Sequence, residues 1–111
     1  MNKLSLTALQ RQHLDTARGA SAGRSAHTVY GGHEHSLRQT LIALNGGQSL
    51  AEHESPGEAT LQVLEGRIRL VSGSDSWDGA AGDLIIIPDA AHSLDAVTDA
   101  VVLLTTAMRS T

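Results

Sequence analysis

The chain has 111 residues, a formal net charge of −4 and no cysteine, and its aromatic residues are one Tyr (Tyr30) and one Trp (Trp77), with no Phe. That length suits one domain, which withdraws roughly 65% of its unfolded surface from water around a core that must be aliphatic. Scattered Lys and Arg exclude an electrostatic footprint for nucleic acid or an anionic membrane, and the absence of thiols excludes disulfides and thiolate metal sites.

The first residues lack a signal-peptide pattern, and no apolar run approaches the roughly 20 residues of a membrane span. A soluble, cytoplasmic protein is the expectation. Thr7 and Gln10 stand at capping-box spacing, and Leu6, Leu9, His13, Leu14 and Ala17 recur with helical period until Gly19, which predicts a short amphipathic helix over 8–18. The Gly-, Ala- and Ser-rich run 19–25 reads as a linker, so residues 1–25 form a helix with its linker and 26–111 a barrel.

From Ala26 onward, short apolar or alternating runs are broken by Gly pairs, Asn-Gly and Pro at intervals of roughly ten residues, the spacing of an all-β sandwich or barrel. Predicted strands are 27–30, 37–44, 48–54, 60–65, 67–72, 75–78, 83–87, 92–97 and 100–106. Asn45-Gly46-Gly47 turns the chain between the second and third, and Glu65-Gly66 makes a tight corner between the fourth and fifth.

Alternation assigns faces within these strands. Ser49, Ala51, His53 and Ser55 share one face of the third strand, opposite Leu50, Glu52 and Glu54. His92, Leu94 and Ala96 share another, opposite Ser93 and Asp95, so each strand offers one inward histidine. Arg38 and Gln39 lie on opposite faces of the second strand. An inward Arg38 beside His53 would favour an anionic ligand such as a carboxylate, whereas a solvent-facing Arg38 would pair with Glu52 or Glu54. Gln62 points outward if Ala59 points in, and Trp77 covers the end of a hairpin. His13 is read as a boundary residue of the helix and His27 as the start of a strand, neither with a partner evident in the sequence. Runs 84–87 and 101–104 are apolar on both faces, so a helix or a second subunit must cover their outer sides. With the exposed edges of a small sheet, this points to a homodimer.

Two motifs carry a family resemblance. Gly47, His53, Ser55, Ala59 and Gly66 fall on the pattern G-x5-H-x-H, three or four residues, E-x6-G, and Gly82, Pro88, Ala90 and His92 fall on G-x5-P-x-G-x2-H with one residue fewer before the histidine. Over roughly residues 36–107 the chain resembles small single-domain cupins of the type-2, conserved-barrel kind. The resemblance implies an all-β jelly-roll barrel (a double-stranded β-helix), here preceded by the short N-terminal α-helix. It also implies a divalent metal (iron, manganese, nickel or zinc) held by the histidines and glutamate of those motifs. Ser55 and Ala59 occupy the second histidine and glutamate positions, which leaves His53 and His92 as metal candidates. A catalytic metal generally wants three protein ligands and an open position. Glu58, one residue before the glutamate position, and His33 or His35 are the candidate third ligands; the alternative for 33–35 is a solvated loop. Without a metal, His53 and His92 pack in a polar patch, bonded to Ser55, to water or to each other. With one, both rings must be neutral, so affinity falls as pH drops through the histidine range near 6.5.

Other catalytic templates are missing: there is no G-x-S-x-G elbow, Walker loop or dinucleotide fingerprint. Asp83 reads as a structural turn aspartate, and no catalytic residue is assigned. The sequence points to a small-molecule-binding or sensing cupin with an incomplete metal site, its pocket framed by His53, Ser55 and His92 with Arg38 nearby. The alternative is a metal-dependent oxygenase or isomerase acting on a small organic substrate, and a closed, apolar-filled barrel would instead favour a stress-related or housekeeping dimer. All of these pocket readings require residues 53 and 92 to converge within a few ångströms.

Overall fold

Helix α1 (Leu6–Gly19) begins two residues ahead of its expected start at position 8. Ser5 takes extended backbone angles and its hydroxyl accepts the Ala8 N–H at 3.2 Å, so Ser5 is the N-cap and Thr7 lies inside the first turn. The computed structural model describes residues 2–32, 34–54 and 57–108. The nine strands that follow are β1 (Arg24–Tyr30), β2 (Leu37–Leu44), β3 (Ser49–His53), β4 (Gly57–Glu65), β5 (Arg67–Ser72), β6 (Asp75–Ala80), β7 (Leu84–Ile86), β8 (His92–Ala96) and β9 (Ala100–Met108).

β1 starts inside the run read as linker, because Gly23 adopts φ +68° and turns the chain directly into the sheet. Asn45 then ties three elements together: its N–H donates to the Gly23 carbonyl at 2.9 Å, and its side-chain amide donates to the Ala17 carbonyl at 3.0 Å. β4 begins three residues earlier than expected. Gly57, Glu58 and Ala59 are poor strand formers, and it is their pairing with Met108, Ala107 and Thr106 of β9 that makes them strand.

The strands form two antiparallel sheets, ordered β1-β2-β9-β4-β7 and β3-β8-β5-β6. Early strands pair with late ones, β2 with β9 and β3 with β8, which is the jelly-roll topology. The core fills the space between the sheets with Ile42, Leu44, Leu61, Val63, Ile68, Leu70, Leu94 and Val102. A second cluster lies on the outer face of the five-stranded sheet, where Leu14 and Ala17 of α1 cover Leu41, Ala43, Val101 and Leu103. The helix therefore supplies the cover that the doubly apolar β9 required. It does not reach β7, where Leu84 and Ile86 are 62% and 79% exposed.

Two corners keep the barrel closed. Gly66 takes φ +78° at the β4–β5 turn, and a Cβ there would collide with the Asp99 carbonyl oxygen. Asp83 accepts the Ala80 N–H at 2.8 Å, the structural turn role expected of it. Trp77 sits within β6, across from Leu70, and is partly exposed rather than capping the hairpin end. No helix among the described residues is long and apolar enough to cross a membrane.

Candidate functional site

The β3–β8 pairing builds the site. Its register runs Ser49↔Asp95 and Leu50↔Leu94, then shifts, so that His53 rather than residue 52 faces His92. One extra residue on β3 is a bulge. Strict alternation put Leu50 on the face opposite His53, and the structure corrects this. Leu50 packs against the core, and the bulge resets the alternation so that His53 arrives on the same side.

The two imidazoles meet with ring centroids 4.6 Å apart and planes tilted by 58°. Their environments differ. His92 is 4% exposed, whereas His53 lies at the open rim. Their tethers are alike: His53 Nδ1 lies 3.1 Å from the Ala51 carbonyl oxygen and His92 Nδ1 lies 3.0 Å from that of Ala90. A carbonyl only accepts, so each Nδ1 carries the proton and donates it, and each neutral ring keeps its lone pair on Nε2. This is the arrangement that orients a histidine for a ligand on its other nitrogen.

A cavity of about 210 Å³ opens beside the pair. Opposite the histidines its wall comes from Arg38 and Thr40 of β2, and from Leu104 and Thr106 of β9, with Ala59 of β4 beside them. Arg38 therefore faces the interior. Its neighbour Gln39 faces outward and donates to Thr105 Oγ1 at 3.3 Å. The alternative pairing of Arg38 with Glu52 or Glu54 is not formed: among the described residues the ion pairs are Arg18 with Asp15 and Asp99, and Arg69 with Asp78.

The third-ligand expectation fails for two of its three candidates. Among the described residues no group of three or more His, Asp or Glu side chains is placed to hold one ion. Glu58 is exposed between buried Gly57 and Ala59 and so projects from the outer face of β4, since adjacent strand residues point opposite ways. His35 packs edge-on against Tyr30, with centroids 5.2 Å apart. His33 and Ser55 lie outside the described residues. Among the described residues the two imidazoles alone fall short of the three donors of a catalytic metal centre, so the described residues do not complete the metal site that the resemblance implies.

Three larger clefts lie elsewhere among the described residues; that of about 390 Å³ runs along Trp77, Leu84 and Ile86, and the remaining two carry basic residues. One, of about 740 Å³, runs beneath the N-terminal segment against Val29, Tyr30 and Leu103, and among the described residues Lys3 is its one charged lining residue. The other, of about 400 Å³, is lined by Arg67 and Arg69, but Asp78 already engages Arg69 at 2.7 and 3.3 Å. That contact holds the Asp78 carboxyl below the usual carboxylate range, chiefly through its hydrogen bond to the guanidinium. None of the three gathers convergent chemistry comparable with the barrel mouth. Sequence reading also missed a second histidine pair. His13 of α1 stacks on His27 of β1 with centroids 5.3 Å apart, and His13 Nδ1 lies 2.6 Å from Ser25 Oγ. The alternation Ser25, His27 was visible in the sequence, but only the docking of the helix onto β1 brings His13 to it.

No protein-family model matches the sequence, and no curated protein matches it. Solved structures do. A conserved protein of unknown function from Streptococcus pyogenes superposes with a TM-score of 0.74 and 25% identity, covering 83% of this chain and 80% of that one. An RmlC-like cupin from Desulfovibrio desulfuricans has a TM-score of 0.67 and 27% identity over 76% of this chain and 81% of its own. A cupin superfamily protein from Desulfitobacterium hafniense reaches 0.71 at 16% identity, with 78% of each chain covered.

Proposed function

The chain folds as a small cupin, and from that premise we propose that it is a small-molecule-binding or sensing protein whose ligand enters the barrel mouth between His53 and His92. One observation carries the reading: both imidazoles are tethered through Nδ1–H to a carbonyl two residues back, leaving two Nε2 atoms free beside the cavity. At about 210 Å³ the cavity lies below the usual range for drug-sized ligands, roughly 300–1,000 Å³, so the ligand is small. Ala59 and Leu104 supply apolar wall, and Arg38, Thr40 and Thr106 supply polar contacts.

The metal-dependent oxygenase or isomerase reading draws on the same two Nε2 atoms and lacks a third ligand among the described residues. Metal analysis of untagged protein, after incubation with iron, manganese, nickel and zinc, separates the two. Metal-free protein supports the binding reading. A stoichiometric ion, lost in both His53→Ala and His92→Ala, would overturn it in favour of the enzyme.

The proposal includes a homodimer seated on β7. This edge strand is paired on one side only, by β4, and it turns Leu84 and Ile86 outward where α1 does not reach. An antiparallel edge can meet its own copy across a two-fold axis, with the same residues on both sides. Sedimentation should give a dimer for the wild type and a monomer for Ile86→Lys. A monomeric wild type would end this part of the reading.

A further inference from the structure

We infer that the barrel-mouth site selects a short hydroxycarboxylate, with Arg38 receiving the carboxylate and an imidazole Nε2 of the pair accepting the hydrogen bond that the hydroxyl donates; this rests on the pocket proposed above. The β2–β9 register sets Arg38 beside Thr106 and Thr40 beside Leu104, so one wall carries a guanidinium and two hydroxyls. Among the described residues no carboxylate pairs with Arg38, and no side chain hydrogen-bonds either threonine hydroxyl. Among the described residues the cavity lining contains no Asp or Glu; of the acidic residues adjacent in sequence to lining positions, Glu52, Glu54 and Glu58, none pairs with Arg38, and Glu58 projects from the opposite face of β4.

The facing wall has the complementary chemistry. With each Nδ1–H already donated to a backbone carbonyl, neutral His53 and His92 can only accept at Nε2. A ligand that satisfies both walls carries a negative, planar acceptor at one end, matched to the guanidinium fork, and a hydrogen-bond donor at the other. Between them Ala59 and Leu104 leave room for a short apolar link. A carboxylate and a hydroxyl separated by one or two carbons has this pattern in a volume the cavity can hold.

Lactate, lactamide and propionate test the assignment as a set, because lactamide removes only the charge and propionate only the hydroxyl. Titrations followed by amide NMR, on chelator-treated protein, should shift His92 and Leu104 with lactate. Affinity should be roughly 10- to 100-fold weaker for lactamide, the range expected when a hydrogen bond to a charged partner is lost. Propionate should be weaker by roughly tenfold. Arg38→Gln should bring lactate down to the level of lactamide, and Arg38→Lys should restore part of the preference, with thermal unfolding confirming that both variants fold. Equal affinity of lactate and lactamide at these residues would overturn the inference and leave the pocket reading intact. Inorganic phosphate binding as tightly as lactate would reduce the site to a general anion trap and overturn it too. No shift at His92 or Leu104 with any of the four compounds would remove both readings.

Discussion

His53 and His92 present the same chemistry to the cavity, yet their removal should have unequal effects on stability. The His92 ring is 4% exposed and its Nδ1–H donates to the Ala90 carbonyl. Truncation to Ala loses the burial of a side chain of this size, about 1–1.5 kcal/mol for a partly polar ring at the low end of the apolar range. It also loses one hydrogen bond, worth about 1 kcal/mol. His92→Ala should therefore cost about 2 kcal/mol, or about 10 °C in Tm for a domain of this size. His53 lies exposed at the rim, where the Ala51 carbonyl can turn to water, so His53→Ala should stay within about 0.5 kcal/mol. Asn at position 92 can place an amide N–H where Nδ1–H was, so His92→Asn should recover about 1 kcal/mol while still lacking Nε2. Urea unfolding followed by circular dichroism measures all three, and lactate titration of the same samples should show affinity lost in every one. Equal stability of the two Ala variants would refute the assignment of His92 to the buried side of the pair. Full lactate affinity in His92→Asn would refute the role given to Nε2.

Ala59 is 8% exposed and shares the cavity with both histidines, so Ala59→Glu should add a third ligand and raise the metal retained after dialysis above that of the wild type, read by metal analysis of both. Gly66→Ala forces a Cβ at φ +78° against the Asp99 carbonyl and should cost at least about 2 kcal/mol, whereas Gly73→Ala, at φ +59° in open space, should cost about 1–2 kcal/mol; urea midpoints compare them. The Asp99 carboxyl is held below its ordinary range, first by the Gly46 N–H at 2.8 Å and then by Arg18. A depressed carboxylate stabilises the fold above its unfolded value of about 3.9 and loses that contribution as pH falls through the folded value, so Asp99→Asn should flatten the acid limb of a stability–pH curve below about pH 4.

The strands were legible wherever a strand carried its own pattern. β2 and β5 were predicted with the bounds they have, because their apolar runs end at Asn-Gly-Gly, Gly66 and Gly73, each a sharp stop. β4 and β9 were read too short at the ends where they pair with each other, since Gly57 to Ala59 owe their extended form to a partner far along the chain. The helix was found but mis-capped, because the Thr7–Gln10 spacing marked Thr7 while the hydroxyl that accepts a first-turn N–H is that of Ser5. The choice went to Ser5, which brings Leu6 and Leu9 onto the face that meets the sheet. That β1 would begin at Arg24 was hidden by a Gly-Ala-Ser composition that serves a turn as well as it serves a linker.

At the site, legibility had a different character. Two-residue alternation put Leu50 on the wrong side of β3 and His53 on the right one, and both results follow from a bulge that no residue type in Ala51-Glu52 announces. Bulges concentrate next to functional sites because they re-aim one side chain without disturbing the rest of the strand. Here the irregularity delivers His53 to His92 at the open end of the sheet, while the regular part, Leu50 with Leu94, stays with the core. The Nδ1 tethers need nothing beyond each strand's own backbone two residues away, so they hold both rings in orientation with Ala at position 59, where the family pattern has a carboxylate. Two oriented imidazoles on one wall and a guanidinium without an ionic partner among the described residues on the other are what the proposed ligand would meet, and that arrangement follows from local tethering and sheet register.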